Sequence, residues 1–403
     1  MNQPQYTVVD LSRVLTGPFA TMILGDLGFR IIKVEEGRIG DTTRHNPPYT
    51  RQVSAYFLAV NRNKESIVLD LKHPEGRAVL LELVKHADVV VENFRPDVMA
   101  SLGLSFDDLR KVNPRIVLVS INGFGSDGPL RDLVSYDLIA QAMSGSMAAT
   151  TPDEGEPIKP AIALGDLGAG LFAVVAALTE LLRVGDEGAG RHVEVSLHDS
   201  MLALSSRVGE ALLMADDIRQ QPGKPFPNGI YATADGSLAL SAYTAKTWAA
   251  LCQALGQALD QPAWAKANDA NDANGPSGAA RTQYEQQLTE ALRRRSTRDW
   301  LEILAAHGVP AAPVRRVPEV LGDPAVRHSM ITTLEHPIAG SVEVFGNPIK
   351  RQLLPYREQA TLPPPRHGEH TLKILEELGY VPERIEAMLE SGAAKGLIPE
   401  PDV

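Results

Sequence analysis

Between Tyr6 and Ser120 the chain alternates short, nearly all-apolar segments with helical ones, and this alternation limits the fold more than any other feature. Tyr6 to Leu11 reads as a buried strand. Pro18 opens a helix through Phe19, Met22, Ile23 and Leu27 that stops near Gly28, and Arg30 to Glu35 is the next strand. Ser66 to Leu71, Asp88 to Asn93 and Ile116 to Ser120 repeat the strand pattern, with a helix from Pro74 to Lys85 and a helix start at Ser105, where Asp108 completes a capping box. Such units cross over right-handed and give a parallel sheet, and strands apolar on both faces need helices on both faces. Ligands on these sheets sit beyond the carboxyl ends of the strands, which directs attention to Gly17, Glu35, Asn93 and Gly123.

A second constraint lies between Pro160 and Val184. Leu167, Leu171, Val174, Val175, Leu178, Leu181 and Leu182 recur at helical spacing, predicting one apolar face. Asp166 stands at the start of that run, as an N-cap whose carboxylate the free N–H groups and helix dipole would keep ionised. Gly165, Gly168 and Gly170 would let another molecule approach it closely. Local pattern alone fits both a helix cap and a reactive carboxylate.

Further on, the sequence predicts a strand from His192 to Leu197, a helix from Asp199 to Asp216 and a linker from Gln220 to Pro227. Tyr231 to Ala234 and Ser237 to Ala242 flank Asp235-Gly236 as a hairpin, followed by a helix from Trp248 to Leu255. Asn268 to Ala280 reads as a surface loop, Thr297 as the cap of a helix through Trp300 and Leu304, and Ile331 to Ile349 as a second hairpin. Two helical segments follow Pro363 to Pro365. The expected organisation is a large Rossmann-like α/β domain over 1–220, a smaller α/β domain over 228–320, and a segment over 321–403 that returns to the large domain.

The net charge of -11 argues against nucleic-acid and acidic-membrane partners. Cys252 is the single cysteine, so neither a disulfide framework nor a cysteine-based zinc site is expected. No secretion signal and no membrane-length apolar run are read, which gives a cytoplasmic expectation. His367 and His370 read as solvated loop residues rather than metal ligands, and Arg62, Lys64 and Lys72 as a solvated strand edge. Gly123 to Gly128 matches the spacing of a dinucleotide loop, but Pro129 follows and no clean helix starts there, so it is read as a plain loop.

Several stretches belong together when taken in order: D-L-S-R-V-L-T-G-P-F-A from Asp10, the segment from Ile32 to Arg44, N-R-N-K-E-S-I-V-L-D-L-K from Asn61 and V-E-N-F-R-P from Val91. N-G-F-G-S-D-G-P from Asn122, S-Y-D from Ser135 and A-L-G-D-L-G-A-G from Ala163 complete the set. In this order they resemble the class III CoA-transferases (CaiB/BaiF type), which include formyl-CoA:oxalate, carnitine and succinyl-CoA:dicarboxylate enzymes. The resemblance implies an interlocked homodimer, acyl-CoA and a small carboxylic acid as substrates, no metal, and Asp166 as nucleophile. It places CoA at Leu15, Thr16, Arg38, Leu69, Lys72, Asn93, Phe94, Arg95 and Tyr136. Where the oxalate enzyme has a glutamine and two arginines, this chain has Leu15, Glu36 and Ser101, leaving Arg38 or Arg44 to meet the phosphates. The resemblance also leaves an α-methylacyl-CoA racemase and a non-catalytic CoA-binding protein as alternatives. The racemase branch carries histidine where this chain has Tyr136, a poor base at neutral pH, which favours transfer. The hairpin L-A-L-S-A-Y-T-A-K lacks the glycine-rich lid of the oxalate enzyme, which argues against oxalate, and the closer likeness to the succinyl-CoA-dependent members implies a small dicarboxylate or hydroxy-dicarboxylate acceptor.

Overall fold

Strands rich in Val and Ile bury both faces, and the first half of the chain follows that rule. The computed structural model describes residues 6–150, 155–205, 209, 213–214, 225–256, 278–349 and 362–399. In chain order it begins with β1 (Thr7–Asp10), α1 (Thr16–Asp26), β2 (Arg30–Glu35), α2 (Ala55–Val60), β3 (Lys64–Leu69), α3 (Pro74–His86) and β4 (Val89–Glu92). α4 (Phe106–Val112), β5 (Val117–Asn122), α5 (Asp137–Met143), α6 (Leu164–Glu187), β6 (Arg191–Ser196) and α7 (Leu197–Leu204) follow. The capping box predicted at Ser105 and Asp108 opens α4. The helix expected from Asp199 starts at Leu197, and most of its predicted second half lies outside the described residues.

The chain divides into two compact units, one of 1–206 with 327–403 and the other of 207–326. The smaller unit contains β7 (Asn228–Ala232), β8 (Ser237–Ser241), α8 (Ala245–Leu255), α9 (Gly278–Leu292), α10 (Thr297–Ala306) and β9 (Ala311–Pro313). β8 pairs antiparallel with both β7 and β9, over a core that includes Leu238, Trp248, Leu288 and Trp300. Two expectations change here. Ser296, not Thr297, caps α10 by accepting from Asp299 N, because Asp235 in the hairpin turn claims both the N–H and the hydroxyl of Thr297 at 2.7 and 3.0 Å. Gly278 to Ala280, read as the end of a loop, begin α9, and 268–277 lie outside the described residues.

The larger unit resumes with β10 (Ile331–His336), β11 (Gly340–Phe345), α11 (Thr371–Glu377), α12 (Pro382–Ser391) and β12 (Ala394–Lys395). Its main sheet has the order β12-β3-β2-β1-β4-β5-β6, with only β12 antiparallel. The six parallel strands therefore follow the doubly wound order, which reverses direction between β1 and β4. One core cluster packs α3, α4, α11 and α12 against one face, and a second packs α1, α5 and α6 against the other.

Of the cations read as a solvated edge, Lys72 is exposed as expected, whereas Arg62 and Lys64 are buried. Arg62 pairs with Asp26 at 2.6 Å, and Lys64 pairs with Asp10 at 3.1 Å. Lys64 also donates to Pro18 O and Asn61 at 2.9 Å each, while the returning C-terminal segment meets Arg62 and the strand beside it. Phe345 O accepts from Arg62, Gly368 N donates to Ser66 Oγ, and the ring nitrogen of His370 accepts from Ser66 N. His367 and His370 are thus packing residues rather than solvated ones, with His367 buried against Glu36 O at 3.0 Å.

α6 also departs from its predicted amphipathicity. Its inward face is built from small residues, including Gly168, Ala169, Ala173 and Ala177, while Leu171, Val175 and Leu182 are more than half exposed. Small side chains win that face because α1 passes close by: a Cβ at Gly170 would stand 3.0 Å from both the Phe19 ring and Thr16 O. By length and apolarity this 24-residue helix is sufficient to cross a membrane, contrary to the sequence expectation, but half of its apolar window is buried in the protein.

Candidate active site

The carboxyl ends of β1 and β4 meet where the strand order reverses. Leaving β1, the chain turns at Val14, whose φ of 72° lies in the left-handed region that a β-branched residue rarely occupies. Buried Asp41 holds the turn by accepting Val14 N at 3.1 Å, and is itself paired with Lys33 at 3.0 Å. From the other side, Asn93 Oδ1 accepts from Arg13 N at 2.9 Å and Asn93 Nδ2 donates to Arg13 O at 2.7 Å. These bonds lock the two loops together and set the start of α1 facing the start of α6.

Leu15, Thr16, Asn93, Phe94, Arg95, Tyr136 and Asp166 line one cavity of about 320 Å³ at this reversal point. Arg38, Leu69, Lys72 and again Phe94 line a neighbouring cavity of about 870 Å³ beyond β2 and β3. Arg13 and Phe94 border both, with the Arg13 guanidinium 5.1 Å from the Phe94 ring centre. The structure thus divides the sequence-selected residues into an inner group around Asp166 and an outer group around Lys72, with Phe94 between. Arg44 belongs to neither. It is buried, bonded to both Glu35 oxygens at 2.8 and 2.9 Å and to Pro365 O, and is therefore not a phosphate contact.

Asp166 occupies the first turn of α6 rather than its cap position, which is Ala163. The capping carboxylate is instead that of Asp137, at the start of α5. Its Oδ1 accepts from Gly165 N at 2.9 Å and from Asp166 N at 3.4 Å, and its Oδ2 accepts from Gln141 at 2.7 Å. Leu164 N donates to Ile162 O and Leu167 N to Ala163 O, so the first-turn N–H groups of α6 are all occupied. The start of α1 differs: no side chain caps it, its first turn contains no acidic residue, and the N–H groups of Leu15, Thr16 and Gly17 have no partner among the described residues. The flanking glycines of Asp166 are filled from within. A Cβ at Gly165 would stand 3.1 Å from Asp137 Oδ1, and one at Gly168 would stand 2.6 Å from Leu204. They serve packing rather than approach of a second molecule, which corrects the expectation.

Electrostatics correct the expected charge preference as well. Burial raises the Asp166 carboxyl to about 6, the Thr16 hydroxyl that donates to Oδ1 draws it down, and the Asp137 charge adds to the rise. Desolvation and a like charge outweigh the helix start, whose N–H groups already serve Asp137. Tyr56, on α2, feels the same carboxylates: burial first, then Asp166, Asp41 and Asp137, push its hydroxyl up to about 12 and keep it protonated. Sequence reading missed Arg13, Tyr56 and Asp137, although the S-Y-D segment contained the last. Tyr136 itself is 68% exposed beside the inner cavity. Among the described residues no His, Cys, Asp and Glu group is arranged to hold a metal.

Known proteins resemble the chain along most of its length. A model of CoA-transferase family III matches residues 4–371. The chain is 35% identical over 398 residues to the succinyl-CoA:glutarate CoA-transferase of Mus musculus, covering 96% of this chain and 88% of that protein. It is 37% identical over 355 residues to the acetyl-CoA:oxalate CoA-transferase of Acetobacter aceti, covering 85% and 87%. A CaiB/BaiF family protein from Brucella suis superposes with a TM-score of 0.80 at 30% identity, over 94% of this chain and 99% of that one.

Proposed function

Because the chain belongs to CoA-transferase family III, we propose that it moves CoA from succinyl-CoA, or a similar donor, to a small dicarboxylate, using Asp166 as the covalent nucleophile. The observation that carries this reading is the position of Asp166, a half-desolvated carboxylate at the strand-order reversal, opposite the uncapped start of α1. Relatives named for glutarate and for oxalate support a dicarboxylate acceptor.

In this reading the nucleotide end of CoA occupies the outer cavity and pantetheine passes Arg13 and Phe94 to bring the thioester to Asp166. An Asp166 oxygen attacks the thioester carbonyl, the C–S bond breaks, and a mixed anhydride and CoA thiolate result. The thiolate then attacks the aspartyl carbonyl, expels the donor acid and leaves an aspartyl-CoA thioester. The acceptor carboxylate repeats the first step on that thioester, and returning thiolate releases the new acyl-CoA and the free Asp166 carboxylate. Negative charge on the tetrahedral oxygens meets the N–H groups of Leu15, Thr16 and Gly17 and the positive end of α1. The Tyr56 hydroxyl stays protonated within the field of the same carboxylates.

A homodimer is part of the proposal, supported by the exposed apolar positions Leu171, Val175 and Leu182 along α6. The single Cys252 suits a reducing, cytoplasmic setting. The test is a mass-spectrometric acceptor screen with succinyl-CoA over glutarate, oxalate and longer dicarboxylates, alongside sedimentation. New acyl-CoA formed by wild type and lost in Asp166→Ala supports transfer. Deuterium exchange into 2-methylacyl-CoA without an acceptor supports a racemase instead, and CoA binding with neither activity supports a binding protein.

A further inference from the structure

The outer cavity has a cationic wall that the sequence reading did not assign. Lys395, on the short edge strand β12, pairs in register with Val68 of β3, and its stem lies over the loop that follows β2. Nζ donates to Gly37 O at 3.0 Å. Among the described residues Lys395 has no carboxylate partner, and neither do Arg38 and Lys72 on the same cavity wall. Lys33, also there, is satisfied by Asp41. Glu36 and Asp70 also line this cavity, each accepting from its own loop, Glu36 from Arg38 N and Ile39 N and Asp70 from Lys72 N, and Ser101 brings no charge.

An exposed ammonium held by one neutral carbonyl keeps two donors and a full charge for a ligand. Three unpaired cations around a cavity of about 870 Å³ suit a polyanion of nucleotide size. We propose that Lys395 binds a phosphate group of the CoA nucleotide, so that the C-terminal segment contributes to CoA affinity. This rests on the CoA-binding reading above. The segment is well placed for the role: Asp70 N donates to Ala393 O, Ile398 N donates to His367 O, and the His367 ring bonds Glu36 O, which ties β12 to the loop that carries Arg38.

The test is calorimetric titration of the full-length protein with CoA, 3′-dephospho-CoA and pantetheine, for wild type, Lys395→Gln and Lys395→Arg. Lys395→Gln should bind CoA about tenfold more weakly while pantetheine affinity is unchanged, as expected for loss of one charge-assisted bond. Lys395→Arg should retain most of the affinity, which excludes a folding defect as the cause. A penalty that disappears with 3′-dephospho-CoA assigns Lys395 to the 3′-phosphate, and one that persists assigns it to the pyrophosphate. No penalty, or an equal penalty for pantetheine, overturns the inference. Wild type that binds CoA without transferring it defeats the transferase reading and leaves this one standing; wild type that does not bind CoA defeats both.

Discussion

Asp137 and Asp166 share one helix start, and Asp137 holds its amides. The Asp137 carboxylate accepts from Gly165 N and from Asp166 N itself, so the group that caps α6 also presents a negative charge to the proposed nucleophile. Asp166 is left with burial, a like charge and one hydroxyl donor, a balance that keeps its proton affinity high for a carboxyl.

The first consequence is a pH profile. With the Asp166 carboxyl at about 6, kcat/KM should fall below that pH with a slope of one proton. The same shift has a stability sign. The folded value lies above the ordinary 3.8, so the charged carboxylate costs stability above pH 6 and the cost fades towards pH 4. Thermal or urea melts of Asp166→Asn should therefore show a gain of up to about 3 kcal/mol at pH 8 and a smaller one at pH 4.

Removing the Asp137 charge while keeping an acceptor separates its two effects. Asp137→Asn should preserve the fold, because an Asn oxygen still caps α6, and should move the acid limb of the rate profile to lower pH by a fraction of a unit. Burial remains, so the larger part of the shift should remain too. A pH–rate series on the purified variant reads both.

Thr16 is the opposite lever. Its hydroxyl favours the charged carboxylate, so Thr16→Val should move the acid limb to higher pH and reduce kcat about tenfold at neutral pH, while Thr16→Ser should restore both. Steady-state kinetics across pH distinguish this from a packing defect, which would not move the limb.

Arg44 should behave as a structural residue. It and Glu35 are buried as a pair, so Arg44→Met should leave Glu35 with only Asp41 N, Ser66 Oγ and the Lys33 charge, and cost about 3 kcal/mol in a denaturant melt. The folded fraction should bind CoA with wild-type affinity, since Arg44 lines neither cavity.

The main sheet was legible because it is written locally: apolar strands at regular intervals yielded β2 at its observed bounds and the other parallel strands to within a few residues. Residues whose role depends on distant segments were not. Arg62 and Lys64 read as solvated because their partners, Asp26 and Phe345 O for Arg62 and Asp10 for Lys64, are distant in sequence, and Arg44 reads as a phosphate contact until Glu35 and Pro365 O are seen to hold it. Asp137 lies 28 residues from the amide it caps, and no spacing rule joins the two. Ser296 and Thr297 are both good caps, and Asp235, far away in sequence, decides between them. In the site, the pattern picked out Asp166, but the glycines beside it misled. Their space is taken by Asp137, Leu204 and Phe19, contacts visible only in three dimensions.

The central claim is that Asp166 carries the covalent intermediate, and peptide mass spectrometry of protein quenched during turnover with succinyl-CoA tests it most directly. CoA should be found as a thioester on the peptide containing Asp166, converted to a hydroxamate at that residue by hydroxylamine and absent from Asp166→Ala. CoA on another residue, or full turnover by Asp166→Ala, would contradict the account.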